Sequence, residues 1–322
     1  MRSWTCGVCG QLVFFENTKC LRCGNPLGFD WAMRELWTRP EEPRCANFDA
    51  IGCNGLAADA GELCFACRLT RTRPNDDDAI GIGQWAQAER AKRRLLFELG
   101  ELGLTTEGLS FDLLSSSLGP VTTGHLDGLV TLDLAESDDA ERELRRVQMG
   151  EPYRTLLGHM RHEVGHFYFP VLVDTDERRA VVRACFGDER ADYQEALDRH
   201  YASGPPADWA ESYVSAYATM HPAEDWAETF AHVLHLHDTL QTAREYGVRV
   251  EGPPGRPDLH AEPVAIEGRT GLREVLDDWL GLTYALNALN RSLGYDDLYP
   301  FVLTGPVIEK LDLIDDLVAR RR

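Results

Sequence analysis

The chain has 322 residues, 43% hydrophobic and 9% aromatic, enough to bury one large domain and a small one. Its formal charge of -20 opposes approach to a phosphate backbone, and no stretch nears the roughly 18 apolar residues of a membrane span, so nucleic acid and membrane are both disfavoured as partners. The sequence runs from Met1 straight into a cysteine motif without an apolar leader, and we expect a cytoplasmic protein.

Eight of the nine cysteines precede residue 68, in paired spacings. In a reducing compartment such pairs read as metal ligands rather than disulfides. Cys6-x-x-Cys9 and Cys20-x-x-Cys23 have the spacing of a zinc ribbon, in which two tight turns close a tetrahedron of thiolates, and Gly7, Gly10 and Gly24 offer the backbone freedom those turns need. Cys45, Cys53, Cys64 and Cys67 form a second set with one loose and one tight pair. Both sets predict structural zinc, which supplies folding free energy to modules too small for a core of their own. Cys185 stands alone and is expected to be a buried small side chain.

The run Arg71 to Asp78 lacks apolar residues and reads as a linker, so the expected organisation is cysteine modules over 1–74, a linker over 75–84 and one further domain over 85–322. Gln84 to Leu102 has helical periodicity, with Trp85, Ala88, Ala91, Leu95, Leu96 and Leu99 on one side. Val121 to Leu134 reads as a hairpin turning at Asp127-Gly128, and Leu129 to Leu134 as a candidate edge strand for an extended ligand. Helices are expected over 140–149, over 153–169 with Pro170 as the stop, and over 177–202 and 207–219. Pro222 to Tyr246 follows, with proline in its first turn and Gly247 beyond its end. Gly252 to Asp258 is a Pro/Gly loop, and 272–293 and 307–321 are terminal helices. The fold class is α+β: mostly helical, with a small sheet.

The chemistry concentrates in His162-Glu163-Val164-Gly165-His166. Residues four apart on a helix face one way, so both imidazoles can bind one zinc, and Glu163 can take a proton from a zinc-bound water. A mid-helix glycine is costly, so Gly165 predicts a close approach by another backbone or a substrate. A third protein ligand is needed. The metzincin pattern would place glycine at 169 and histidine at 172, where this chain has Phe169 and Leu172. Glu224 and Glu228 share a helix face further on, so one can ligate the metal while the other orients a ligand histidine. His159 is a candidate for lining the cleft, and His232, His235 and His237 are expected on the helix surface or behind the ligands.

Glu224-Asp225-Trp226-Ala227-Glu228 resembles the E-x-x-A-E motif of lethal-factor-like gluzincin peptidases. That resemblance implies Glu224 as the zinc ligand, Glu228 as the carboxylate behind it, and Tyr217 as a hydrogen-bond donor to the developing oxyanion. The cysteine modules, Gly150 to His159, the HExxH, Phe186 to Arg190, Ser215-Ala216-Tyr217-Ala218 and the Glu224 motif together resemble a bacterial family of zinc-binding metallopeptidases with an N-terminal zinc ribbon. The resemblance implies a zincin-like catalytic domain, one catalytic zinc besides two structural ones, and a peptide or protein substrate hydrolysed by water that Glu163 activates. The alternative is a zincin scaffold that binds zinc as a regulatory or protein-interaction module without turnover, against which stands the retention of Glu163, a base that metal binding alone does not require.

Overall fold

The structure, a computed structural model, describes residues 1–39, 43–149, 151–256, 258–263 and 272–320. Gly150, Pro257 and Arg321, which fall in segments discussed above, lie outside the described residues. About half the chain is helical, with small sheets and cysteine modules at its start, the α+β class expected from the sequence. It packs as two compact units: Met1–Glu101, Thr105–Arg145 and Thr155–Met160 form one, and Leu102–Leu104, Arg146–Arg154 and Arg161–Arg322 the other.

In the first unit, β1 (Trp4–Thr5) pairs with β2 (Leu12–Val13) and β3 (Gly28–Asp30) with β4 (Glu35–Trp37), both antiparallel. Two one-turn helices follow, α1 (Phe48–Ile51) and α2 (Phe65–Arg68). The stretch expected as a linker is largely ordered into elements. Thr70–Thr72 is strand β5, and the long helix α3 runs Ala79–Glu101. The reason is the acid cluster itself: Asp78 Oδ1 accepts the Gly81 N–H at 2.8 Å, and carboxylates are favoured at a helix N-terminus. The anticipated stripe on α3 is buried at Trp85, Ala88, Leu95, Leu96 and Leu99, and Phe97 joins Trp4, Phe15 and Phe29 in an aromatic cluster with mostly edge-on contacts. The first cysteine module and α3 therefore share one core.

The four-stranded sheet has the order β5-β6-β8-β7, with β6 at Ser110–Leu114, β7 at Gly124–Leu126 and β8 at Leu129–Asp133. The expected hairpin is present, although its first strand starts at Gly124 rather than Val121. Asp127 and Gly128 both have positive φ, 48° and 83°, the backbone of a two-residue primed turn that matches strand twist. The edge position expected for β8 is corrected: β8 pairs parallel with β6 and antiparallel with β7, so its backbone groups are taken on both sides. Buried Phe111, Leu113, Val130 and Leu132 alternate with their neighbours, as a half-buried sheet requires.

The second unit is helical. Helix α4 (Asp139–Met149) is counted with the first unit up to Arg145, and α5 (Leu156–Leu172) with the first unit up to Met160 and with the second from Arg161. Pro170 does not stop α5. It removes one ladder bond near the end, while the Val173 N–H still reaches the Phe169 carbonyl at 2.9 Å. The helix expected over 177–202 is two helices, α6 (Asp176–Phe186) and α7 (Tyr193–Ser203). Gly187 breaks it with φ 98°, and Arg183 pairs with Glu189 across the connection. The segment 207–219 holds only short 3₁₀ turns at Trp209–Glu211 and Tyr217–Thr219. There the Ser212 carbonyl is claimed by Lys310 Nζ at 2.7 Å and the Ala218 N–H by Ser215 Oγ at 3.1 Å, bonds that compete with a helical ladder. Cys185 is half-buried rather than buried, and desolvation pushes its thiol up.

Helix α8 (Pro222–Glu245) is capped by His221, whose Nδ1 accepts the Ala223 N–H at 3.1 Å, and it buries Trp226, Ala227, Phe230, Val233, Leu234 and Leu236. Helices α9 (Arg273–Ser292) and α10 (Gly305–Ala319) pack against it. Among the described residues no helix is long and apolar enough to cross a membrane.

The close approach predicted at Gly165 is to the backbone of α8. A Cβ there would lie 2.9 Å from Ala227 Cα, and the Trp226 indole N–H donates to the Gly165 carbonyl at 2.9 Å. Gly→Ala in an ordinary helix interior stabilises by about 0.5–1 kcal/mol. Here the sign should reverse: we predict that Gly165→Ala destabilises by about 1–3 kcal/mol through overpacking. Urea unfolding measures this, and a variant as stable as the parent would contradict the tight crossing.

Candidate metal centre

Among the described residues, three groups of side chains converge with the geometry of metal ligands: Cys6, Cys9, Cys20 and Cys23; Cys45, Cys53, Cys64 and Cys67; and His162, His166 and Glu224. In the first, Cys6 and Cys23 sulfurs are 3.6 Å apart, as are those of Cys9 and Cys20. A disulfide would need about 2.0 Å, whereas four sulfurs about 2.3 Å from a tetrahedral zinc are about 3.8 Å from one another. Both knuckle turns close through glycine: the Gly10 N–H reaches the Cys6 carbonyl and the Gly24 N–H the Cys20 carbonyl, with φ of 68° and 73°. Gly7, by contrast, has no need of positive φ. Cys23 is exposed, and hydrogen bonds from the Asn25 side chain and backbone pull its thiol down to about 6.

In the second group Cys53 lies 3.7 Å from Cys64 and 3.6 Å from Cys67, and the Cys64 N–H points at Cys45 Sγ. The loose spacing between Cys45 and Cys53 is explained by α1, a single helical turn ended by Gly52 at φ 62°. Gly55 is required here by contact, since a Cβ would meet Cys64 Sγ at 2.5 Å.

The third group is built by α5 and α8. His162 and His166 are one turn apart on α5, their Nε2 atoms 3.2 Å from each other. Glu224 Oε2 is 3.0 Å from His162 Nε2, and Oε1 is 3.5 Å from His166 Nε2. Ligand atoms about 2.0–2.1 Å from a tetrahedral zinc are about 3.4 Å apart, so the spacing fits. Glu228 sits on the other side of the imidazole: its Oε1 accepts from His162 Nδ1 at 2.6 Å. That bond fixes a proton on Nδ1, so the lone pair of the neutral ring that a metal would bind lies on Nε2, directed at the group. Ser215 Oγ donates to the other Glu228 oxygen at 2.6 Å.

The electrostatics of the group suit a cation. Burial alone would push His162 down, but hydrogen bonds and charge from Glu224 and Glu228 raise it well above its ordinary value. Burial would likewise push Glu224 and Glu228 up, yet the histidines hold Glu224 far below the carboxylate range and, with Ser215, hold Glu228 at about 2. Two buried carboxylates facing two imidazoles form a net negative pocket that a divalent cation would neutralise.

Residues 81–317 match a family model described as "Putative zinc-binding metallo-peptidase", and residues 3–78 match a zinc-ribbon domain. The chain belongs to this zinc-binding metallo-peptidase family. It is 47% identical over 333 residues to uncharacterized proteins of Mycobacterium bovis and Mycobacterium tuberculosis, covering 99% of this chain and 95% of theirs. No solved structure matches it.

Within this family member, Glu163 is buried beside His162 on α5. Tyr217 stands in a 3₁₀ turn with its ring 6.1 Å from the His162 ring and 6.0 Å from the His200 ring. Burial, then the Glu224 charge, push its hydroxyl above the usual range. Sequence reasoning assigned no role to Tyr193, whose hydroxyl donates to Glu224 Oε1 at 3.1 Å, or to Ser215. Only Ser215 carried a signal, its place beside Tyr217. The other histidines have partners of their own. His159 Nδ1 is 2.7 Å from Glu136, His232 Nδ1 is 2.7 Å from the Tyr299 hydroxyl, His235 Nδ1 meets Arg161, and His237 Nε2 meets Asp315. His232 and His237 are buried and His235 half-buried, so none lies on the helix surface.

The two glutamates make separable predictions. Glu224→Ala should largely abolish metal binding at this group, while Glu228→Ala should leave it occupied with affinity lowered by roughly 10- to 100-fold. Chelator competition ranks them, using a His162→Ala/His166→Ala reference to subtract cysteine-bound metal. The reverse order would exchange their roles.

Proposed function

We propose that this protein is a zinc-dependent peptidase that hydrolyses peptide bonds at the His162, His166 and Glu224 group. The observation that carries this reading is the hydrogen bond from His162 Nδ1 to Glu228 at 2.6 Å, which fixes the His162 ring so that its Nε2 faces the point on which His166 Nε2 and Glu224 also converge. A zinc ion held there would polarise a scissile carbonyl and bring a water's pKa to about 7.

Glu163, next in sequence to His162, takes the water proton and returns it to the leaving amine, the acid–base role that metal binding alone does not require. Tyr217, like any tyrosine, keeps its hydroxyl proton at neutral pH, and burial reinforces this. It can therefore donate a hydrogen bond to the oxyanion of the tetrahedral intermediate. The two cysteine groups hold two further zinc ions with a structural role, since four thiolates leave no open position. Eight reduced thiols favour the cytoplasm, and the charge of -20 favours a peptide or protein substrate over nucleic acid.

Protein purified without chelator should contain about three zinc ions per chain, by the ligand counts above. A content of one or less would contradict the assignment. Glu163→Gln should retain all three and lose cleavage of a mixed peptide library, because an amide cannot accept the water's proton. Cleavage by the variant at the parent rate would remove Glu163 from the mechanism and favour a non-catalytic zinc module.

A further inference from the structure

The histidines and Glu228 do not by themselves account for what fixes the rotamer of the Glu224 carboxylate, whose Oε1 lies a longer 3.5 Å from His166 Nε2. That carboxylate is 3% exposed, and with Oε2 3.0 Å from His162 Nε2 its Oε1 accepts from the Tyr193 hydroxyl at 3.1 Å. Tyr193 is the first residue of α7, whose start is fixed by Asp192 Oδ1 accepting the Glu195 N–H at 2.9 Å. A second contact locks this start against α8. His221 accepts the Ala223 N–H on Nδ1, so its proton is on Nε2, which donates to the Ala191 carbonyl at 3.1 Å. The His221 ring also packs on the Tyr193 ring, 5.3 Å between centroids.

One histidine thus caps the helix that carries Glu224 and ties down the loop that delivers Tyr193. We propose that Tyr193 is a positioning residue of the metal centre: its hydroxyl donates to Glu224 Oε1 and so fixes the carboxylate with Oε2 toward His162 and Oε1 toward His166, with His221 holding Tyr193 in place. This rests on the reading of His162, His166 and Glu224 as a metal site. A carboxylate held in one rotamer by a fixed donor loses less freedom when it ligates. Tyr193 is itself 43% exposed, so Tyr193→Phe opens no cavity in the apolar core of the unit.

The test uses the full chain and metal coordination, independent of any turnover. Tyr193→Phe should weaken binding at this site by about 10- to 100-fold in chelator competition, and should change the visible spectrum of the cobalt(II) form after subtraction of the His162→Ala/His166→Ala spectrum. His221→Ala should act in the same direction. The thermal unfolding of metal-free Tyr193→Phe should match that of the metal-free parent. An unchanged affinity and spectrum would overturn the proposal, as would an affinity loss matched by equal destabilisation of the metal-free protein, which would assign Tyr193 to packing. If the parent shows no cobalt band that depends on His162 and His166, the metal-site reading itself fails.

Discussion

The close crossing of α5 and α8 is the constraint from which the candidate site follows. Gly165 admits the backbone of Ala227 where any side chain would collide, and the Trp226 indole fastens to the Gly165 carbonyl. The residues flanking this point are His162 and His166 on one helix and Glu224 and Glu228 on the other, each pair one turn apart. Two helices held this closely put Glu224 against the Nε2 edge of the imidazoles and Glu228 against the Nδ1 edge. The convergence of the candidate ligands and the orientation of His162 thus come from one packing contact.

Around that crossing the chain spends polar groups to fix rotamers. Ser215 holds Glu228, Tyr193 holds Glu224, and Lys310 pairs with Asp225 at 2.6 Å while binding the Ser212 carbonyl. Lys310 comes from α10, so the end of the chain secures both the start of α8 and the irregular segment that presents Ser215 and Tyr217. Buried charges are tolerated only when paired and hydrogen-bonded, and these pairs satisfy that condition in a region where the backbone leaves regular structure.

What could be read from the sequence was local. His162, Glu163 and His166 are separated by helical spacing, the Glu224 and Glu228 pair likewise, and the ends of α8 carry proline and glycine; each is decided within a few residues. The CxxC pairs are equally local, and the looser Cys45 to Cys53 interval needed only α1 to close it. The misreadings share the opposite cause. Residues 207–219 have helical propensity but lose it to the Ser215 hydroxyl, which accepts the Ala218 N–H, and to Lys310, about a hundred positions away in sequence, which donates to the Ser212 carbonyl. Strand β8 was read as an edge because β6, a five-residue alternation, was not recognised as its partner. The helix over 177–202 breaks at Gly187, where a Cβ would also press on Pro222 at 3.1 Å. Tyr193 reaches Glu224 only because of that break, and no spacing rule could have shown it.

The proposed chemistry requires a metal ion at the point where α5 and α8 cross. Anomalous diffraction at the zinc absorption edge, on crystals of the full chain grown without chelator, locates every bound zinc directly. Three peaks are predicted: one in each cysteine group, and one bounded by His162 Nε2, His166 Nε2 and Glu224, with Glu228 on the far side of the His162 ring. Peaks confined to the two cysteine groups in zinc-supplemented crystals, or a third peak on the Glu228 side of His162, would contradict it.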